Sequence, residues 1–155
     1  MIKPISGLFL SLVISVLLSC SGQREFEKVH VFPDATWNRF EILSFDFDVK
    51  KAGGEYNMQA ILRYTDDLEH NRIPVHFILT FPTGEDRIWE QTISLRDRDG
   101  NNLGSYQGGF YEIRVPVRSR MMLREAGIYN ITAEKIIHKY NTPGLVSFGL
   151  RMFAN

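Results

Sequence analysis

Leu43-Ser44-Phe45-Asp46-Phe47-Asp48-Val49 alternates apolar and polar residues without a break. Successive side chains of a strand point to opposite faces, so this stretch puts Leu43, Phe45, Phe47 and Val49 on a core and the two aspartates in water. Downstream, Ala52-Gly53-Gly54-Glu55 reads as a hairpin turn, because paired glycines reach positive φ without steric cost. Tyr56, Met58, Ala60, Leu62 and Tyr64 then line one face of a second strand. Val75, Phe77, Leu79 and Phe81 form a third inward set, and apolar Ile78 on the opposite face marks a central strand.

The same period continues to the end of the chain. Pro82-Thr83-Gly84-Glu85 is a tight turn into Trp89, Gln91, Ile93 and Leu95, which places Trp89 in the core. Residues 96–109, rich in Asp, Asn and Gly, form the longest stretch without a pattern, and such loops are often functional. Tyr111, Ile113, Val115 and Val117 make a strand whose Pro116 belongs at a sheet edge, since proline cannot donate to a central ladder. Residues 118–125 are expected to hold a helical turn. Tyr129, Ile131 and Ala133 begin a strand running towards His138, and after a turn at Asn141-Thr142-Pro143-Gly144 the last strand carries Val146, Phe148, Leu150 and Met152. Upstream, residues 25–32 form the first strand and Trp37 falls in a polar loop. Tyr129 either opens its strand as a tyrosine corner, bonding back to backbone, or is a plain core aromatic. About eight strands and no helix long enough to cover a sheet predict an all-β fold, an antiparallel two-sheet β-sandwich of Greek-key or jelly-roll kind.

The N-terminus has a different character. Residues 1–19 carry Lys3, an apolar run and a small Ser19, the three parts of a secretory signal peptide. Leu17-Leu18-Ser19-Cys20 reads as a lipobox, after which the precursor is cut and Cys20 acylated. Cys20 is the only cysteine of the 155 residues, so it has no internal disulfide partner. The apolar run is shorter than the roughly 20 residues that span a bilayer. The expected organisation is therefore a signal peptide at 1–19, a lipidated tether at 20–24 and a β-sandwich domain at 25–155. The mature chain contacts a membrane through its lipid anchor. Removing the leader leaves 17 basic against 18 acidic residues, a balance that gives no electrostatic case for nucleic acid.

Catalytic signatures are absent: no G-x-S-x-G elbow, H-E-x-x-H helix or P-loop occurs. His30, His70, His76 and His138 stand apart, without ligand spacing, so no metal and no cofactor is expected. Asp97-Arg98-Asp99-Gly100-Asn101 resembles part of a calcium loop, but an EF-hand register would put Leu95 and Tyr106 where oxygen donors belong. A solvated turn is favoured over a looser calcium site. Asp46 and Asp48 lie about 7 Å apart along a strand, within the span of some glycosidase acid pairs, yet their alternation with Phe45 and Phe47 is that of a water-facing surface. No enzyme is expected. Trp37, Tyr106 and Phe110 fall in loops and are the candidates for stacking on a partner protein or a sugar ring.

Taken together, the residues resemble the gliding-motility lipoprotein GldH family of Bacteroidetes. The likeness covers nearly the whole mature chain. It rests on the lipobox, Trp37, Phe45-Asp46-Phe47, Tyr56-Asn57, Leu62-Arg63-Tyr64-Thr65, Phe81-Pro82-Thr83-Gly84, Asp99-Gly100, Leu103-Gly104, Ala126-Gly127-Ile128-Tyr129 and residues 144–151. The resemblance implies an outer-membrane lipoprotein that supports gliding or secretion machinery through contacts with other envelope proteins. It assigns no active site and transfers only Cys20, as the acylated residue. One segment departs from it: Asp66-Asp67-Leu68-Glu69-His70-Asn71 replaces an aromatic-proline loop. No acidic cluster follows Cys20, which points to the periplasmic face. The competing reading is a glycan-binding lipoprotein of a nutrient-uptake system, motivated by the loop aromatics.

Overall fold

A computed structural model describes residues 25–154. The expected leader, Cys20 and the tether lie outside the described residues. The chain runs β1 (Glu25–Val31), a 3-10 turn (Pro33–Ala35), β2 (Thr36–Asn38), β3 (Leu43–Val49), β4 (Gly54–Tyr64), β5 (Arg72–Thr80), β6 (Asp86–Ser94), β7 (Ser105–Gln107), β8 (Phe110–Leu123), β9 (Gly127–Lys135), β10 (Asn141–Pro143) and β11 (Leu145–Ala154). Among the described residues there is no α-helix, and all pairings of these strands are antiparallel.

The all-β, antiparallel expectation holds, but the architecture is richer than eight strands in two sheets. A five-stranded sheet, β1-β11-β4-β8-β7, faces a four-stranded one, β3-β9-β5-β6, and a separate two-stranded sheet pairs β10 with β2. The two large sheets meet through aromatic side chains. Phe148 of β11 lies 6.3 Å from both Phe45 of β3 and Phe77 of β5, ring centre to ring centre, and Phe26 of β1 lies 5.8 Å from Phe47. Burying such rings is the main favourable term in a fold of this kind.

Three local expectations are corrected. The Gly53-Gly54 turn does not close a hairpin. β3 pairs with β9 while β4 pairs with β11 and β8, so the turn carries the chain from one sheet to the other. Period-two alternation reveals which face is buried but not which strand is the neighbour. Residues 118–123 are strand, not helix, although Arg120 takes φ +52° and the register with β4 slips twice between Tyr56 and Gln59. The two slips run in the same direction and add to two residues, which restores the alternation, so Val117 on one side and Met121 and Leu123 on the other are all buried. Trp89 is only partly buried, stacked on Phe77 at 5.4 Å. Two other readings hold. β5 is central in its sheet, and Tyr129 forms the tyrosine corner by donating its hydroxyl to Glu125 O at 3.1 Å.

Candidate functional site

Glu25 at the start of β1 pairs with Phe153 near the end of β11, and Val31 pairs with Ser147. β1 therefore runs the length of the sandwich, roughly 20 Å at strand rise. Tyr64, Leu145 and Tyr111 share the far end, and the long loops gather there.

At that end β2 and β10 build a small platform. Trp37 pairs with Thr142 and Asn38 with Asn141. The indole of Trp37 turns inward, stacked on Phe32 at 5.0 Å and 5.2 Å from Phe148. Its Nε1 donates to Glu41 O at 3.0 Å, which fixes the following loop, while Phe40 N donates to Asn38 Oδ1 at 3.0 Å. Gly144, at φ +91°, lets the platform seat against Leu68, because a Cβ there would come within 2.9 Å of Leu68 Cα. What this presents to solvent is Phe40, 70% exposed, edge-on to Tyr140 at 5.7 Å. The Arg39 guanidinium lies 5.8 Å from the Phe40 ring centre, while Arg39 N donates to Tyr140 O at 2.7 Å.

Beneath the platform sits a buried cation. Lys135, 1% exposed, donates from Nζ to Trp37 O at 2.9 Å and to Thr142 Oγ1 at 2.5 Å. Burial, helped by the nearby charge of Arg39, pushes its ammonium down to about 8.

The neighbouring long loop is held by a buried phenol instead. Tyr64 Oη lies 2.7 Å from Leu95 O and 2.5 Å from Leu103 O, the two roots of the loop. Desolvation raises its pKa to about 12. Arg96 extends the clamp, donating to Asn102 Oδ1, Asn71 Oδ1 and Asp66 O at 2.9 to 3.0 Å. Within the loop, Asp97 Oδ1 accepts from the Asp99 and Asn101 amides, each at 2.9 Å, and Asp97 Oδ2 from Asn101 Nδ2 at 3.0 Å. Bonds to Asn101 hold its carboxyl below the usual range. The calcium-like stretch is thus a self-satisfied turn.

The sequence candidates divide. Tyr106, 64% exposed, stands at the far end against Tyr111 at 5.1 Å. Phe110 is half-buried with the Arg63 guanidinium over its ring at 5.4 Å. Trp37 is not a surface residue. At 0% exposure it belongs to the core, since three residues of β2 suffice to pair with β10 and turn the indole inward. Cys20 lies outside the described residues. Arg39, Phe40, Tyr140 and Lys135 were not singled out from sequence. Lys135 had a signal, for it continues the parity of Tyr129, Ile131 and Ala133 and so falls on the core face.

Asp46 and Asp48 lie on the water side, Asp46 accepting from Asn130 Nδ2 at 2.6 Å and Asp48 paired with Lys50. Among the described residues, no three His, Cys, Asp or Glu gather as metal ligands.

The described residues form an all-β, antiparallel fold that exposes Phe40, Tyr140 and Tyr106 at one end. The chain belongs to the GldH lipoprotein family, whose model matches residues 24–152. No curated protein matches the sequence. Among solved structures, dimeric latent PorU from Porphyromonas gingivalis is similar at 11% identity and a TM-score of 0.43, over 86% of this chain and 13% of PorU. The VP2 subviral particle of infectious bursal disease virus is similar at 11% identity and a TM-score of 0.37, over 98% of this chain and 37% of VP2. The chain thus spans only a small part of either, and likenesses of this size say nothing about function. Among the described residues no helix is long and apolar enough to cross a membrane.

Proposed function

We propose that the chain is a non-enzymatic envelope component, held to the outer membrane through acylated Cys20 on the periplasmic face, which docks proteins of the gliding or secretion machinery. The observation that carries this reading is the Arg39-Phe40-Tyr140 platform. It presents two exposed aromatic rings and a guanidinium at the end of the sandwich away from the start of β1. Aromatic and Arg side chains on a rigid support are the usual anchors of protein interfaces. In this reading a leader at 1–19 is removed, a lipidated tether spans 20–24 and the β-sandwich domain spans 25–155, so that the start of β1 faces the lipid and the platform faces the partner.

Photo-crosslinking groups placed in living cells at Phe40, Tyr140 and Tyr106, with Asp48 on the outer face of the four-stranded sheet as control, test the proposal. Capture of envelope-machinery proteins from the first three positions only, lost in Cys20→Ala, is the expected outcome. Equal capture from Asp48, or none from any position, counts against it. A glycan-binding role is favoured by one observation, the exposed Tyr106 ring backed by Tyr111. It requires saturable polysaccharide binding that is lost in Tyr106→Ala.

A further inference from the structure

The sheet edges are guarded unequally. β3 is met across the sandwich by β1, where Lys28 Nζ donates to Asp46 O at 3.2 Å and Phe26 packs on Phe47. β8 carries Pro116 and two register slips, and β7 covers only Phe110, Tyr111 and Glu112. β6 has neither proline nor bulge, and its only guard is the charge of Asp86, Arg87 and Glu90. Among the described residues it pairs with β5 alone, in unbroken register, and its nine residues contain no Lys. Ile88 at its middle is 63% exposed. Natural sheets blunt such edges with charge, proline or bulges, because a bare row of N–H and C=O groups is a template for another strand.

Beside this edge lies a small cavity lined by Phe81, Trp89, Met121 and Leu123 and rimmed by Arg87 and Arg118. The guanidinium of Arg87 sits 4.6 Å from the Phe81 ring centre and that of Arg118 sits 5.4 Å from that of Trp89. The register slips in β8 explain the second contact, for they set Arg118 opposite Met58, a core position, and so aim it across to the other sheet. Arg118 pairs with no carboxylate among the described residues, whereas Arg87 has only exposed Glu85, at 3.5 Å. Trp89 Nε1 is buried without an acceptor, a deficit that native structures rarely leave.

We propose that the β6 edge and this cavity form a groove for an extended segment of another envelope polypeptide in which acidic and apolar residues alternate. Its backbone adds to β6 as a further strand. With a period of two, its carboxylates all face Arg87 and Arg118, while its apolar residues extend the cross-strand row of Ile78 and Ile88. The groove is separate from the loop platform, so its failure leaves the proposed function standing.

The test uses the full chain in detergent and three synthetic peptides long enough to cover β6. One alternates Asp with Val, one alternates Lys with Val, and one carries the Asp and Val residues in two blocks. Titration calorimetry should show saturable binding of the alternating acidic peptide alone, and hydrogen exchange should slow along β6 when it binds. The double variant Arg87→Gln, Arg118→Gln, checked for unchanged circular dichroism, should bind about tenfold more weakly or worse, as loss of charge complementarity predicts. Equal binding of all three peptides, unprotected β6 amides, or full affinity in the double variant overturns the proposal. So does a chain that runs as a dimer with β6 already protected, which gives the edge to a second copy.

Discussion

The platform and the long loop sit side by side at one end of the sandwich, yet opposite chemistry holds them. A buried ammonium draws the platform together through Trp37 O and Thr142 Oγ1, and a buried phenol draws the loop together through Leu95 O and Leu103 O. Both groups are shifted towards their neutral forms, because burial penalises charge whatever its sign. For the phenol the neutral form is the one present at ordinary pH. For the ammonium it is not, so the platform bears a desolvation cost at neutral pH that the loop does not.

The largest break in this comparison is Trp37→Ala. The indole is the keel of the platform and is fully buried in the core, so its removal should lower stability by about 3–5 kcal/mol. Urea unfolding measures this, and a loss below about 1 kcal/mol would mean that the platform is not integral to the core.

Lys135 gives the next effect, through pH. Its folded pKa of about 8 lies below the ordinary 10.5, so between those values the unfolded chain binds more protons and stability rises with pH. The full gain is on the order of 3 kcal/mol. A wild type that gains nothing over Lys135→Met from pH 8 to 10.5 would refute the buried-cation account. Tyr64 should show the opposite sign. Its pKa is raised to about 12, so its contribution is complete below the ordinary 10.0 and is lost as pH climbs through 12. At neutral pH, Tyr64→Phe should cost about 1–3 kcal/mol by removing the hydroxyl that reaches Leu103 O and the second contact to Leu95 O. Hydrogen exchange of the Leu103 amide, which donates to Leu95 O at 2.8 Å, should quicken with it, and unchanged protection there would argue against the clamp.

Phe40→Ser should do least to the fold, within about 0.5 kcal/mol, because the ring is largely in water. The same variant should abolish crosslinking at the platform. A large stability loss would recast Phe40 as a structural residue.

Much of the fold is legible in the residues themselves. The alternation of Leu43, Phe45, Phe47 and Val49 places four side chains inside, and all four are buried. Pro116 marks a strand with a largely bare edge, and Tyr129 finds its backbone carbonyl. What alternation cannot convey is partnership. Nothing local in Gly53-Gly54 distinguishes a hairpin from a passage between sheets, and nothing in Thr36-Trp37-Asn38 announces Thr142 more than a hundred residues later. The platform stayed hidden for the same reason, since Phe40 and Tyr140 meet only once β2 and β10 have paired.

The pairing of β1 with β11 also has a mechanical meaning. Seven residues from Glu25 to Val31 lie in continuous register on the last strand, so close that a Cβ on Gly149 would stand 2.7 Å from Lys28 O. A pull on Glu25 along the strand axis, resisted at the opposite end of the sandwich, loads all seven pairs together in shear. They need not open one after another like a zipper. Resistance to such a force is a matter of unfolding rate rather than of equilibrium stability. The final strand of the chain is therefore the part that bears tension applied to the first.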